Sequence, residues 1–234
     1  MLNTPATLVL ATSNPHKIDE LRDLLSPLPL RVIGLADAHP GTTLREPEET
    51  GQTFEANATI KALSYAAQTG LPCLADDSGL EIDALDGRPG VISSHYCTKG
   101  REVGMSRAQR DRENNERVMR EITGVPDDKR GANFVCVMAL ALPPRAGSLE
   151  KNRSPILRVR GTFLGRIGQP GSVPRGENGF GYDPLFLVAP EFARTGAELS
   201  SQEKNRLSHR AQAAMLFIVQ LGALLAASPS LLKT

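Results

Sequence analysis

Cysteine is scarce in this chain of 234 residues: Cys73, Cys97 and Cys136 are odd in number and far apart, and two of them sit inside apolar runs. That pattern excludes a disulfide framework and predicts buried free thiols in a reducing, cytoplasmic compartment. Charge of one sign is lacking too. A formal net charge of +1 argues against broad attraction to nucleic acid or to an anionic membrane, while leaving room for a small anionic ligand. The four histidines, His16, His39, His95 and His209, lie in separate segments with no cysteine at metal-ligand spacing, so nothing points to zinc. The N-terminal "ATLVLA" has no basic region before it and is too short for a secretory signal. "AAMLFIVQLGALLAA" is interrupted by Gln220 and falls short of the ~20 apolar residues of a membrane span, so it reads as a buried C-terminal helix. No fixed-period repeat, no low-complexity tract and no G-x-x-x-x-G-K-[ST] phosphate loop is present.

What is present alternates strands with helices. "TLVLAT" reads as a strand, "SNPHK" as a polar loop, and Ile18, Leu21, Leu24 and Leu25 recur at helical spacing until Pro27 stops the helix. After a short strand at "LRVIGL" comes a long polar connection. Thr53 then caps a helix with Phe54, Ala58, Ala62 and Tyr65 on one face, Asn57 and Lys61 on a neighbouring line, and Gly70 at its end. "CLADD" and "LEIDAL" read as two strands divided by a Ser78-Gly79 turn. A charged helix, "RAQRDRENNERVMREI", precedes two long strands, "NFVCVMALAL" and "ILRVRGTFLGRI", which pair as a hairpin with an extended tip over residues 143–156. "LFLV" is a short strand; Ser200 with Glu203 forms a capping box, and Ser208 caps the final helix. The expected class is α/β: one domain over residues 1–234 with a mixed sheet flanked by helices, bent around a central cleft.

Four segments can carry chemistry. Asp76 and Asp77 end an apolar strand, where ligands bind in open α/β sheets. Successive strand residues face opposite ways, so Asp77 is expected to face the site and Asp76 to bond backbone amides of the following turn. Glu48 and Glu49, in the long loop, offer further hard oxygen ligands for Mg²⁺. "TSNPHK" places Thr12, Ser13, Asn14, Pro15, His16 and Lys17 between a strand and a helix N-terminus, a plausible phosphate cradle. "GFGYDP" sets glycines around Phe180, with Phe180 and Tyr182 as stacking rings. In "SHRAQ", His209 and Arg210 put two cations in a first helical turn, against the helix dipole, with Lys204 one turn earlier.

Taken in order, these pieces resemble the inosine triphosphate pyrophosphatase family, which hydrolyses non-canonical purine nucleoside triphosphates. Thr12, Asn14 and Lys17 match its first motif, and "EETGQTFEANATIKA", "ADDSGLEIDAL", "GFGYDP" and "SHR" follow in register. The resemblance implies an elongated mixed β-sheet with two lobes around a nucleotide-binding cleft, usually a homodimer. It also implies that residues Thr12 to Lys17 hold the triphosphate, that Lys61 approaches it, and that Glu49 and Asp77 bind Mg²⁺ while Asp77 accepts a proton from water. Ser78 would contact the nucleotide, and Phe180, Gly181, Tyr182 and Asp183 would form the base and ribose pocket. Lys204, His209 and Arg210 would read the purine. The chain departs from the pattern at Ser93, Ser94, His95 and Tyr96, where many bacterial relatives have Ser-Ala-Arg-Tyr. The alternative from another class is a regulator that binds a triphosphate without cleaving it, in which a base beside the metal would have no use.

Overall fold

The computed structural model describes residues 5–144 and 154–232, with only the backbone of His16. The chain divides into two compact units. The first comprises residues up to Asp77, then 136–161 and 210 onward; the second comprises 78–135 and 162–209. Six strands form one sheet in the order β2-β1-β3-β4-β5-β6. The strands are β1 (Thr7–Leu10), β2 (Arg31–Gly34), β3 (Cys73–Ile82), β4 (Gly131–Ala141), β5 (Leu157–Ile167) and β6 (Phe186–Val188). β1 is parallel to β2 and to β3, whereas β5 and β6 are antiparallel. Hydrogen bonds from Ile156 N to Leu140 O and from Ile167 N to Arg130 O make β4 and β5 antiparallel too. The expected mixed α/β sheet is therefore present.

In the first unit, helix α1 (Pro15–Leu25) opens with proline at its first position, where a missing N–H costs nothing. Its Leu21 and Leu25 are buried beside Leu8 and Leu10 of β1. A single turn, α2 (Leu35–Ala38), leads into the long polar connection. Helix α3 (Phe54–Thr69) starts where Thr53 accepts a hydrogen bond from Ala56 N. It ends at Gly70, whose φ of 66° suits glycine. The core is completed by Leu74, Met138, Leu140, Phe217 and Leu221.

The second unit has its own core of Leu80, Ile82, Tyr96, Val118, Phe134, Phe163 and Phe186. Its main helix, α4 (Arg107–Glu121), buries only Asn114 and Val118, as its charge density predicts. The capping box of Ser200 and Glu203 opens α5 (Ser201–Leu207), and α6 (His209–Ala227) follows directly after Ser208.

Two expectations fail. Ser78-Gly79 is not a turn: β3 runs unbroken through it to Ile82, and "DAL" is a 3₁₀ turn. A Ser-Gly pair reads as a breaker when local chemistry alone is considered, but Leu80 and Ile82 are fully buried and carry the strand on into the second core. Nor is α6 buried all round. Ala213, Ala214, Phe217 and Leu221 enter the first core while Met215, Leu216 and Val219 are exposed. By length and composition α6 could cross a membrane, yet Arg210 lies buried in ion pairs and Phe217 in a protein core. Most of the anticipated hairpin tip, residues 145–153, falls outside the described residues.

Candidate active site

The strand period separates the two aspartates, and each face of β3 meets its own cations. Asp77 Oδ1 accepts from Lys61 Nζ at 3.0 Å, and the same ammonium lies 3.2 Å from Glu49 Oε1. Lys61 reaches them from the second turn of α3. Glu49 is held in place by the end of its loop, where Gly51 N donates to the buried Asn57 Oδ1 at 2.8 Å. A side chain at residue 51 would collide there, since its Cβ would fall 2.5 Å from Asn57 Oδ1. Both loop acids are exposed, and Glu49 is the one that pairs with Lys61.

Asp77 is 7% exposed, and its Oδ2 is buried with no hydrogen-bond partner among the described residues. Burial pushes its carboxyl up to about 6; Lys61 opposes that shift and the nearby Glu49 adds to it. For Lys61 burial works the other way, but Asp77, Glu49 and Asp76 outweigh it and hold the ammonium charged. The attraction within the pair would by itself lower Asp77. Desolvation wins, because a carboxylate loses more by leaving water than one shared cation returns.

Asp76 does not end a strand and has no turn after it to bond. Its Oδ2 lies 2.9 Å from Lys17 Nζ and 3.2 Å from Arg210 Nη2, and Arg210 Nη1 lies 2.7 Å from Glu20 Oε2. Burial alone would raise the Asp76 carboxyl, but Lys17 and Arg210 hold it far below the usual range. Arg210 is correspondingly held charged by Asp76 and Glu20 against its burial. It is 2% exposed, and its terminal nitrogens grip two carboxylates. In this structure Arg210 is thus occupied by Asp76 and Glu20. The helix dipole disfavours a cation at that end, and two protein carboxylates from distant segments offset it.

The polar loop after β1 turns where Asn14 N donates to Thr12 Oγ1 at 3.2 Å. Ser13 and Pro15 are exposed, and the first turn of α1 carries no acid. Backbone N–H groups and Lys17 thus share one helix end, the arrangement that favours an anion.

The second unit holds the glycine-rich segment. Asp183 Oδ2 accepts from Phe180 N at 2.8 Å and from Lys204 Nζ at 2.6 Å. Gly179, with φ of 77°, makes room for it: a Cβ there would fall 2.2 Å from that oxygen. Gly181 N donates to Asp111, and Asn115 donates to Gly181 O. Phe180 is half-buried, with the Arg107 guanidinium 4.8 Å and the Lys204 ammonium 5.5 Å from its ring centre. Tyr182 is not a stacking ring but core: it is buried and its hydroxyl donates to Ser93 O at 2.7 Å. His209 stacks on Phe134 at 5.2 Å. At the departure from the familiar pattern, His95 bonds Ser94 Oγ and Glu102, each at 2.8 Å, with Arg110 at 3.0 Å.

The structure thus gathers Glu49, Lys61 and Asp77 in one cluster, Lys17, Asp76 and Arg210 in another, and Phe180, Asp183 and Lys204 in a third. Ser78 follows Asp77 directly in β3, half-buried. Sequence reasoning missed Glu20, whose only signal is its place one turn after Lys17, and Arg107, a cation in the first turn of α4. Among the described residues no three His, Cys, Asp or Glu side chains converge as a complete metal cage. Glu49 and Asp77 nevertheless fit a hard divalent cation whose other ligands are phosphates and water, and the buried Asp77 Oδ2 is an oxygen that such a cation would satisfy.

A model of the Ham1 family matches residues 8–220. A dITP/XTP pyrophosphatase of an Exiguobacterium species is 45% identical over 88% of this chain and 92% of its own length. Its counterpart from Nitratidesulfovibrio vulgaris is 44% identical over 90% and 93%. Among solved structures, a HAM1 protein from Coxiella burnetii superposes with a TM-score of 0.76 at 41% identity, covering 93% of this chain and 99% of that one. A nucleoside-triphosphatase described as a dITP/XTP pyrophosphatase from Mycobacterium abscessus gives 0.67 at 36%, covering 91% and 98%.

Proposed function

The chain belongs to the Ham1 family, and on that premise we propose that it hydrolyses the non-canonical purine nucleoside triphosphates ITP, dITP and XTP to a nucleoside monophosphate and pyrophosphate. The observation that carries this reading is Asp77: a buried carboxylate with one oxygen tied to Lys61, the other without a hydrogen-bond partner among the described residues, and a carboxyl pushed up to about 6. Such a group is matched to take a proton near neutral pH. Asp77 orients and deprotonates a water, which attacks the α-phosphorus; the bond from that phosphorus to the bridging oxygen breaks, and pyrophosphate leaves.

The remaining roles follow from charge. Residues Thr12 to Lys17 take the phosphates at the start of α1, through backbone N–H groups and the Lys17 ammonium. Lys61 neutralises charge that develops on the reacting phosphoryl group. Glu49 and Asp77 hold Mg²⁺, which when bound supplies electrostatic stabilisation of the polyphosphate. Phe180 stacks the base, Asp183 fixes the loop that presents it, and Lys204 and His209 read its edge, with Ser78 beside the nucleotide. Hypoxanthine and xanthine offer a 6-oxo acceptor where adenine has an amino donor, so fixed donors favour the former; unpaired polar groups discriminate by orders of magnitude.

The family match spans both compact units, which supports one catalytic domain over the whole chain. Free cysteines suit a cytoplasmic setting, and the exposed Met215, Leu216 and Val219 suit a homodimer, which sedimentation at twice the 25.1 kDa chain mass would reveal. The activity is tested by incubating dITP, XTP, dATP and dGTP with the protein and magnesium. Pyrophosphate from dITP and XTP, with little from the others, is the expected outcome. Free phosphate as the first product, or equal rates on dATP, would sink the proposal.

A further inference from the structure

We infer that Asp76, backed by Arg210 and Glu20, is a positioning residue that sets the place and the free charge of the Lys17 ammonium at the phosphate loop. The inference rests on the proposed reading that Lys17 meets the triphosphate, and it assigns three side chains that this reading leaves without a role in the reaction.

Lys17 is badly placed by itself. It lies in the first turn of α1, where the helix dipole opposes a cation, and its four-carbon stem gives it many positions to choose from. Asp76 Oδ2, at 2.9 Å, removes that freedom, and its side chain is fully buried, so the anchor itself cannot drift. An anchor of full strength would bring a second difficulty. A lysine neutralised by its own carboxylate has less to offer a phosphate.

Here the same oxygen is shared. Arg210 Nη2 binds Asp76 Oδ2 at 3.2 Å, so Lys17 holds only part of that negative charge. Arg210 is in turn fixed by Glu20 at 2.7 Å, and Glu20 stands one turn beyond Lys17 on α1. The signs alternate along the chain Glu20, Arg210, Asp76, Lys17, and the formal sum is zero. Three elements close the ring: α1 gives both ends, α6 gives Arg210 and β3 gives Asp76.

Plain stabilisation is a poor account of this chain, because buried ion pairs rarely outperform apolar residues of similar volume. Both ends of the chain are partly open to solvent, Lys17 and Glu20 each with 18% of the side chain exposed, and of these two only Lys17 carries the charge that a phosphate would meet.

The test is a double-mutant cycle on dITP hydrolysis with Asp76→Asn and Lys17→Ala, in the full-length protein, with thermal midpoints measured for all four proteins. If Asp76 acts through Lys17, Asp76→Asn lowers kcat/KM by about tenfold or more in the wild type, chiefly through kcat, and by less than about twofold once Lys17 is gone. An equal loss in both backgrounds would overturn the positioning role while leaving the phosphate role of Lys17 intact. Wild-type activity in Lys17→Ala alone would overturn both. Should Asp76→Asn not fold, Glu20→Gln takes its place in the same cycle: it is the outer and less buried member, expected to cost a few-fold and to lose that effect in Lys17→Ala.

Discussion

On the proposed reading Asp77 decides the chemistry at the scale of single residues, and its protonation gives two linked predictions. A base must be ionised to act, so kcat/KM should rise with pH as the Asp77 carboxyl ionises; burial pushes that carboxyl up to about 6 without metal, and bound magnesium should move the rise to lower pH. Asp77→Asn should abolish that rise and lower turnover by about 10²–10⁴-fold, measured by pyrophosphate release. The same shift acts on stability with a definite sign. A folded-state value above the ordinary 3.8 means that the folded protein binds the proton more tightly, so stability falls as pH rises through about 6. Asp77→Asn escapes that loss, and its thermal midpoint at pH 7.5 should equal or exceed that of the wild type. Asp76 runs the opposite way. Its depressed carboxyl contributes stability above about 3.8 that is lost as pH falls toward its folded value. Asp76→Ala, which strands Lys17 and Arg210, should cost about 3–5 kcal/mol at neutral pH by denaturant unfolding.

At the scale of elements, much of the fold was legible because caps and periodicities are local. Thr53, Gly70, Ser200 and Glu203 act within a few residues, and the observed helices start and stop at them. Glu49, Lys61 and Asp77, which stand in recognisable motifs, do meet in one cluster. Continuity of β3 was not legible, because Gly79 is extended rather than turned, and what carries the strand past it is burial of Leu80 and Ile82 in a core assembled from distant segments. The partners of Arg210 were hidden for a similar reason: Asp76 and Glu20 lie 134 and 190 residues away in sequence. Tyr182 read as a stacking ring because its bond to Ser93 O spans 89 residues. The loop before α3 yields a prediction of its own. Gly51→Ala would drive a methyl group into Asn57 and displace Glu49, so the magnesium concentration for half-maximal activity should rise several-fold while far-ultraviolet dichroism stays unchanged. An unchanged magnesium requirement would remove Glu49 from the metal.

For the molecule as a whole, the two compact units carry different types of group. The first holds the aspartates, Glu49 and the lysines that suit a polyphosphate; the second holds Phe180, Asp183, Lys204 and His209, which suit a base. Substitutions in the two should therefore separate kinetically. Lys204→Ala should narrow the preference for dITP over dATP by about tenfold or more in kcat/KM, since it removes a donor rather than the reacting groups. Lys61→Ala should lower turnover on both nucleotides alike.

The central claim is that water beside Asp77 attacks the α-phosphorus, and the position of the new oxygen tests it most directly. Hydrolysis of dITP in oxygen-18 water, followed by mass spectrometry of the products, should place the label in dIMP and leave pyrophosphate unlabelled. Label in pyrophosphate, or in free phosphate accompanied by dIDP, would contradict the account.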